Sequence, residues 1–268
     1  MGDRLKRSCL RQTRCGSEKK IMASHQRAQT EQTLPSEAMM ALVFLGDSGF
    51  AGRGRLEDVL RNAFPAAASE IEGGKGQDPL FIFVYEGVLC TVMCMDAPAP
   101  MQAADPQFVN AWFWPTAWDE LSKHRAHIVV STAGGNSPKH RALILQRLLS
   151  ATLSVSPSAI GVNYASSGAL LPTKLAFPML QQADQIALML FLSCFFAREA
   201  EGSFPRPGIF ASTKGLSDFG VMEIEAHGFT GQLRELQPLI LSFASSLLEQ
   251  QSHFKDGDTL NVGDGENI

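Results

Sequence analysis

The stretch that most constrains the fold is residues 80–95, LFIFVYEGVLCTVMCM. Its many aromatic and β-branched residues favour strands over a helix, and Glu86-Gly87 divides it into two apolar runs. Two such runs joined by a short turn predict a β-hairpin, whose strands must be antiparallel. The hairpin therefore argues against a purely parallel, doubly wound sheet.

The segments around this hairpin alternate between strand-like and helix-like patterns. Short apolar runs predict buried strands at 40–46, 126–132 and 159–164, and apolar residues at helical spacing predict helices at about 138–154 and 232–251. The predicted order is strand, helix, strand, strand, helix, strand, helix, strand, helix, strand, helix. It indicates a single α+β domain in which helices cover a mixed, largely antiparallel sheet.

The longest apolar run, Ile186 to Ala197, is predicted as a buried helix or partly as a strand. As a helix it would be about 18 Å long, well short of the ~30 Å hydrocarbon core of a bilayer. Hydrophobic residues make up 45% of the chain and charged residues 19%, so a sizeable core can form. We therefore expect a soluble protein that does not span a membrane.

Charge is distributed unevenly along the chain. Residues 1–38 carry eight basic and four acidic residues, whereas the remainder carries 15 basic and 23 acidic ones. We interpret 1–38 as a disordered basic extension; a basic arm for an acidic partner and a targeting peptide are the alternatives. The globular domain is predicted over 39–254 and a loose tail over 255–268. An acidic body argues against nucleic-acid binding, because phosphates require a basic surface.

The cysteine pattern indicates a reducing compartment. Five cysteines are present, an odd number without CxxC spacing, and no secretory signal is recognised. We expect reduced, buried thiols in a cytoplasmic protein. Zinc binding would need further ligands that the sequence does not place, so no metal or cofactor is predicted.

The tripeptide GDS at residues 46–48 resembles the nucleophile block of the GDSL-type lipases and esterases. In such a site a histidine base would activate Ser48. That family places its histidine three residues after an aspartate near the C-terminus, and none of the six histidines here has this spacing. A serine esterase is therefore the weaker of two catalytic alternatives.

The stronger catalytic alternative is the alternating segment VMEIEAH that ends at His227. On a strand, Glu223, Glu225 and His227 would share one face at intervals of roughly 7 Å. Glu223 or Glu225 could act as a general base, with His127 or His227 as proton partner or metal ligand, in an acid–base or metal-assisted hydrolase. The simpler interpretation is a solvated strand face.

All three tryptophans, Trp112, Trp114 and Trp118, lie in one segment after the hairpin. Trp114 and Trp118 are four residues apart, which would place them on one side of a helix in the core. Tryptophan is also enriched at binding hot spots. We predict the three as contact anchors for another protein, with the carboxylate–histidine face as a polar rim.

Several short motifs point to a known family. They are HRAHIVVS at 124–131, TKGL at 213–216, FG at 219–220, EIE at 223–225 and KDGDT at 255–259. The chain resembles the bacterial domain of unknown function 4261 in these motifs, over roughly residues 40–262. The resemblance implies a bacterial α+β domain and no particular activity.

Together these observations predict a bacterial protein that works by binding, as an accessory or immunity-type module. No complete catalytic constellation, cofactor loop or basic face is recognised in the sequence. The expected partner is another protein, not a nucleic acid or a membrane. The oligomeric state is left open.

Overall fold

The fold combines antiparallel sheets with helices, and the computed structural model describes it over residues 37–47, 53–72, 80–182, 184–199 and 208–250. The strands are β1 (Ala38–Leu45), β2 (Leu80–Tyr85), β3 (Val88–Met95), β4 (Ala126–Gly134), β5 (Ala159–Tyr164), β6 (Ala169–Pro172), β7 (Ser193–Arg198), β8 (Ile209–Lys214) and β9 (Glu225–Phe229). The α-helices are α1 (Arg53–Ala63), α2 (Pro106–Asn110), α3 (Ala117–Leu121), α4 (Pro138–Ser154), α5 (Thr173–Leu180), α6 (Leu188–Phe191) and α7 (Leu233–Gln250). This architecture confirms the predicted α+β class with a largely antiparallel sheet.

The larger sheet has six strands in the order β2-β3-β4-β1-β5-β6, and all neighbouring strands are antiparallel. The predicted hairpin is confirmed, because β2 and β3 pair along their whole length without a register shift. Glu86 and Gly87 form its turn with φ values of 49° and 77°. Such left-handed values match the twist of the flanking strands in a two-residue turn. β2 is an edge strand of this sheet.

Helices α1 and α4 cover one face of β1–β4. Successive side chains of a strand point to opposite faces, so every second residue of these strands contacts the helices. Leu56 and Leu60 of α1 and Leu145 of α4 are fully buried in this layer. α4 begins where the sequence predicted, since the Ser137 hydroxyl oxygen accepts a hydrogen bond from the His140 amide at 3.4 Å.

Residues 97–125, which include α2 and α3, cover part of the opposite face over β1, β5 and β6. Phe44 of β1 is buried beneath this segment together with Trp114 and Leu121. Gly161 of β5 permits the close packing, because a Cβ at this position would lie 2.9 Å from the Trp114 ring. The covering segment is thus fixed to one half of the sheet.

The smaller sheet has the order β7-β8-β9. Its first strand, β7, lies in the apolar run for which the sequence predicts a buried helix. The run Ile186–Ala197 contains only the single-turn helix α6, after which the chain continues as β7. The helix prediction is wrong for this run, and the alternative of a partial strand is confirmed. β7 pairs with β8 along its whole length, so tertiary pairing outweighs local helical preference.

The predicted strand that carries Glu223 also begins later than expected. A short 3-10 helix, Leu216–Phe219, ends at Gly220 with a left-handed φ of 74°, and β9 begins only at Glu225. The predicted alternation therefore holds for Glu225 and His227 but not for Glu223.

The predicted basic extension over 1–38 and the predicted tail over 255–268 lie outside the described residues, except for residues 37 and 38. Within the described part of the chain, no helix is long and apolar enough to cross a membrane.

Candidate functional site

The first candidate is a surface, which is the face of β1–β4 opposite α1 and α4. We call it the open face. Three rows of side chains form it, each crossing β2, β3, β4 and β1 in that order: Leu80, Met93, Val129 and Leu42; Ile82, Thr91, Ser131 and Met40; and Val84, Leu89, Ala133 and Ala38. Within a row the residues are direct partners on neighbouring strands, so their side chains form one continuous layer.

The open face is apolar and accessible to solvent. Its two polar side chains are the hydroxyls of Thr91 and Ser131, and none of its residues is charged. The most exposed of its apolar residues are Met40 (43%), Leu80 (37%), Ile82 (51%), Val84 (49%) and Leu89 (43%). Contiguous apolar patches of this kind on soluble proteins mark interaction sites.

The sequence of the strands explains why both faces are apolar. In β2, LFIFVY, the buried Phe81 and Phe83 alternate with the exposed Leu80, Ile82 and Val84. A strand with one solvated face alternates apolar and polar residues, whereas a continuous apolar run is typical of a strand covered on both sides. The described residues cover only one side of β2.

His127 marks the border of the open face. It pairs with Phe44 on β1 and with Met95 on β3, one row beyond the open face. Its Nδ1 donates a hydrogen bond to the Ala97 carbonyl oxygen at 2.7 Å, which fixes the start of the covering segment. The structure thus gives this predicted proton partner a backbone carbonyl as its hydrogen-bond acceptor.

His124 holds the other end of the covering segment. Its Nε2 accepts a hydrogen bond from the Ala99 amide at 2.7 Å, and its Nδ1 donates one to the Leu121 carbonyl oxygen at 2.6 Å. Only the neutral imidazole protonated on Nδ1 can make both bonds. Burial lowers the pKa of His124, in agreement with this neutral form.

The three tryptophans predicted as contact anchors have different environments. Trp114 is buried, and its indole nitrogen donates a hydrogen bond to Glu120 Oε1 at 3.1 Å. Trp118 is half-buried, with its ring 5.1 Å from that of Phe108. Trp112 is exposed. Trp114 is therefore a core residue, and Trp112 has the accessibility that a contact residue needs.

Glu223 accepts hydrogen bonds from the loop that follows β8. Its Oε1 accepts the amides of Gly215 at 2.8 Å and Ser217 at 3.1 Å. Its Oε2 accepts the Thr213 hydroxyl at 2.8 Å and the Leu216 amide at 3.3 Å. The carboxylate thus fixes this loop, and its lone pairs are engaged by backbone and hydroxyl donors instead of being available to a substrate.

Asp218 connects the same loop to the larger sheet. Its carboxylate accepts a hydrogen bond from the Tyr164 hydroxyl at 2.6 Å, and both side chains are buried. Burial, together with the adjacent Asp218 carboxylate, raises the pKa of Tyr164 and keeps the phenol protonated as a donor. The rings of Tyr164, Phe191 and Phe219 also contact one another edge to face. These contacts join the two sheets.

His227 has a carboxylate partner that the sequence did not reveal. Its Nδ1 donates a hydrogen bond to Glu199 Oε1 at 2.8 Å, and Oε2 of Glu199 accepts the Gly228 amide at 2.7 Å. The Glu199 side chain is 7% exposed, whereas that of Glu225, 3.8 Å from His227 Nε2, is 65% exposed. Glu199 precedes His227 by 28 positions and directly follows β7, so no local spacing could have indicated the pair.

A cleft of about 530 Å³ lies at the ends of β7, β8 and β9. Phe196, Glu199 and Phe229 belong to its described lining, and His227 does not. A carboxylate bonded to Nδ1, as Glu199 is in His227, orients an imidazole as acid–base sites require. The described residues do not, however, place that imidazole in the wall of the cleft.

The remaining predicted groups are Ser48, the cysteines and a metal site. Ser48 lies outside the described residues. Cys90, Cys94 and Cys194 are buried and form no disulfide, and burial raises the pKa of Cys90 to about 12 and that of Cys194 to about 11. Across the described ranges, no three His, Cys, Asp or Glu side chains are grouped so that they could hold a metal ion.

Comparison with known proteins identifies one segment of the chain. Residues 212–268 match the model of a family described as a domain of unknown function (DUF4261). No curated protein and no solved structure matches the chain. The match begins within β8 and includes the loop held by Glu223, whereas the open face lies entirely before it.

Proposed function

We propose that this chain, whose residues 212–268 match the domain of unknown function 4261 family, is a non-catalytic, protein-binding module of accessory type. The open face is the proposed contact surface. The proposed partner is a protein whose own apolar surface covers these strands.

One observation carries the proposal: five large apolar side chains are exposed on a continuous, uncharged surface. Burial of a half-exposed aliphatic side chain contributes about 1 kcal/mol. The burial of several such side chains together would favour association by a few kcal/mol, and the entropy lost on binding opposes it. A solitary monomer gains nothing from keeping this surface in water.

The polar groups also support binding over catalysis. A general base must offer an acceptor within hydrogen-bond reach of a substrate. Glu223 is engaged by four donors, and His127 donates to a backbone carbonyl. These two predicted catalytic groups therefore hold backbone segments in place.

We also propose a cytoplasmic location. Cys90, Cys94 and Cys194 are core residues that form no disulfide, as is usual for proteins that fold under reducing conditions. Labelling of thiols after lysis in an alkylating buffer should find all three reduced. Oxidised forms of these residues in freshly lysed cells would contradict this location.

The test of the binding function uses a photo-crosslinking amino acid at Ile82 of the full chain in living cells. Met222 provides a matched control, because it is exposed to 50%, against 51% for Ile82, and lies outside the open face. We expect a covalent adduct with a polypeptide at Ile82 and little or none at Met222. Equal yields at the two positions, or no adduct at Ile82, would contradict the proposal.

Trp112 remains a proposed contact residue, because it is exposed and tryptophan is enriched at hot spots. A crosslinker at Trp112 should yield an adduct with the same polypeptide as the one at Ile82. A different adduct, or none, would remove Trp112 from the interface.

A second candidate function is acid–base catalysis by Glu199 and His227. The 2.8 Å hydrogen bond between a nearly buried carboxylate and the imidazole favours it, because such a carboxylate orients a histidine base. Hydrolysis of p-nitrophenyl acetate provides a test: Glu199→Gln should lower the rate several-fold, and Glu225→Gln should leave it nearly unchanged. A rate that is unaffected by His227→Asn would exclude this candidate.

A further inference from the structure

We propose that a groove between α1, α4 and α5 binds a small organic acid, in which a carboxylate is joined to an apolar body. The proposal goes beyond the binding function of the open face, because α1 and α4 lie on the opposite side of the sheet. The size of the groove, its apolar walls and the charged side chain in its lining together support the proposal.

The groove has the size of a small-molecule site. Its volume is about 420 Å³, and residues of α1, α4 and α5 line it. Clefts that bind small molecules have volumes of roughly 300–1,000 Å³ and often lie between helices. Along α4 the lining residues follow one another at intervals of three and four positions, so they lie on one side of that helix. This row consists of Leu143, Arg147, Ser150 and Ser154.

The walls of the groove are largely apolar. Val59 of α1, Leu143 of α4 and Phe177 of α5 belong to the lining, and each is only partly buried. Their apolar surface therefore stays partly in contact with water. An apolar ligand body placed between the three helices would remove this surface from water, which favours binding.

Arg147 holds its charge in a fixed position beside this groove. The guanidinium carbon lies 5.7 Å from the ring centre of Phe64 and 5.7 Å from that of Tyr85. One guanidinium nitrogen also donates a hydrogen bond to the Tyr85 hydroxyl at 3.2 Å. A cation is attracted to the faces of aromatic rings, so these contacts orient the guanidinium in advance. A ligand then loses less free energy in ordering this side chain.

The charge of Arg147 calls for an anion. Within the described ranges no carboxylate forms an ion pair with Arg147, whereas Arg61 of α1 is paired with Glu57 at 2.6 Å. The described lining of the groove also contains no acidic residue. A guanidinium has five N–H donors, and two of them can bind one carboxylate side by side. A ligand carboxylate would therefore supply the missing negative charge.

The charge balance favours a carboxylate over a phosphate ester. A phosphate monoester carries about −1.5 to −2 charges at neutral pH, so a partly buried site would need a second cation to balance it. Arg147 is the one charged residue in the described lining. Asn62 and Ser150 add neutral polar groups to the lining, of the kind that fix the orientation of a ligand.

Three compounds with the same apolar body test the proposal on the full chain. They are 4-phenylbutanoate, 4-phenylbutanamide and 4-phenylbutylamine, which carry a negative charge, no charge and a positive charge. In saturation-transfer NMR titrations the carboxylate should bind with a dissociation constant on the order of a millimolar, because so small a compound makes few contacts. The amide should bind about tenfold more weakly, because its hydrogen bonds to a guanidinium lack the negative charge. The amine should bind more weakly still.

Two arginine variants assign the charge preference to a residue. Arg147→Met removes the cation and keeps an unbranched side chain, so it should abolish the preference for the carboxylate over the amide. Arg125→Met makes the same change at an exposed residue outside the described lining and should preserve that preference. Circular dichroism of each variant verifies that it is folded.

A steric variant locates the ligand without changing charge. Ser150→Trp would fill the groove one turn of α4 beyond Arg147, so it should weaken binding of the carboxylate and the amide by about tenfold or more. Ser246→Trp adds the same ring to α7, outside the described lining, and should have no such effect. This pair keeps the test decisive even where Arg147→Met is too unstable to fold.

The outcomes are separate from those that test the open face. No binding of 4-phenylbutanoate, or equal binding of the three compounds, would overturn the proposal. Carboxylate binding that is unchanged in Ser150→Trp would place the ligand outside the groove and would overturn it as well. Crosslinking at Ile82 reports on the open face alone, so either proposal can fail while the other stands.

Discussion

The two faces of β1–β4 consist of alternating residues of the same strands, yet their environments are opposite. On the helix-covered face, Phe81 and Phe83 are at most 3% exposed beneath α1 and α4. On the open face, their neighbours Ile82 and Val84 are about half exposed. The difference lies in the covering layer, because both sets of side chains are apolar.

This comparison shows that the strands carry apolar side chains on both faces, as strands that are covered on both sides do. Domains bury every apolar sheet face against another element, which comes either from the same chain or from a partner. α1 and α4 supply one layer, and residues 97–125 supply half of the other. The remaining half is where the account places a partner.

The largest expected effect contrasts two neighbouring residues of β2. Phe83→Ala should lower the free energy of unfolding by about 3–5 kcal/mol, because it leaves a cavity beneath the helices. Ile82→Ala in the dilute chain should cost less than about 1 kcal/mol, because its side chain is half in water. Denaturant unfolding of both variants measures the contrast. Similar costs at the two positions would show that the open face is not open.

Tyr164→Phe tests the polar contact on the helix-covered side of the sheet. Removal of the hydroxyl leaves the buried Asp218 carboxylate without its 2.6 Å hydrogen bond. We expect a loss of about 2–3 kcal/mol in the free energy of unfolding. Tyr85→Phe is a suitable control, because its hydroxyl contacts Arg147 at 3.2 Å in a less buried setting. Equal losses in the two variants would contradict the role of Asp218.

Glu223 and Glu225 lie two positions apart but differ in environment. The Glu223 carboxylate accepts four hydrogen bonds, whereas the Glu225 side chain is mostly exposed. Glu223→Gln should lower the free energy of unfolding by about 2 kcal/mol. The amide nitrogen of Gln would face backbone N–H groups whose hydrogen bonds the carboxylate now accepts. Glu225→Gln, at a mostly exposed side chain, should cost little. Thermal unfolding of the two variants measures the difference. An unchanged stability in Glu223→Gln would argue against its structural role.

The smallest expected effect is a pH dependence at His124, beside the border of the open face. Burial lowers the pKa of His124 below its ordinary value of 6.5, so the unfolded chain binds a proton more readily than the folded one. Stability from this residue is complete above that value and declines as the pH falls below it. His124→Gln should remove this part of the decline between neutral and mildly acidic pH. A profile with the same slope in both proteins would contradict the assignment.

Local sequence was sufficient for elements whose signals are local. The hairpin at Glu86-Gly87 follows from its turn residues, and the start of α4 follows from Ser137. The run Ile186–Ala197 was ambiguous, because apolar residues serve a buried helix and a buried strand equally well. Pairing with β8 decides it, and that pairing is a tertiary contact.

The candidate surface could be predicted only in part. The sequence shows that β2 is apolar at every position. It does not show which alternate set of side chains, odd-numbered or even-numbered, lies beneath the helices. The use of Glu223 as a loop anchor depends on where Gly220 ends the 3-10 helix. The pairing of Glu199 with His227 depends on how β7, β8 and β9 align. Each of these requires the assembled fold.

The most direct test of the central claim compares two native methionines as oxidation probes. Met40 lies on the open face and is 43% exposed, and Met222 lies elsewhere and is 50% exposed. Exposure governs the rate at which a methionine becomes a sulfoxide, which mass spectrometry of the full chain can follow after peroxide treatment. In dilute purified protein the two should oxidise at similar rates.

Inside living cells that express the chain, the account predicts that Met40 is protected several-fold relative to Met222, because a polypeptide covers the open face. Equal oxidation of Met40 and Met222 under all of these conditions would contradict the claim that the open face is a binding surface.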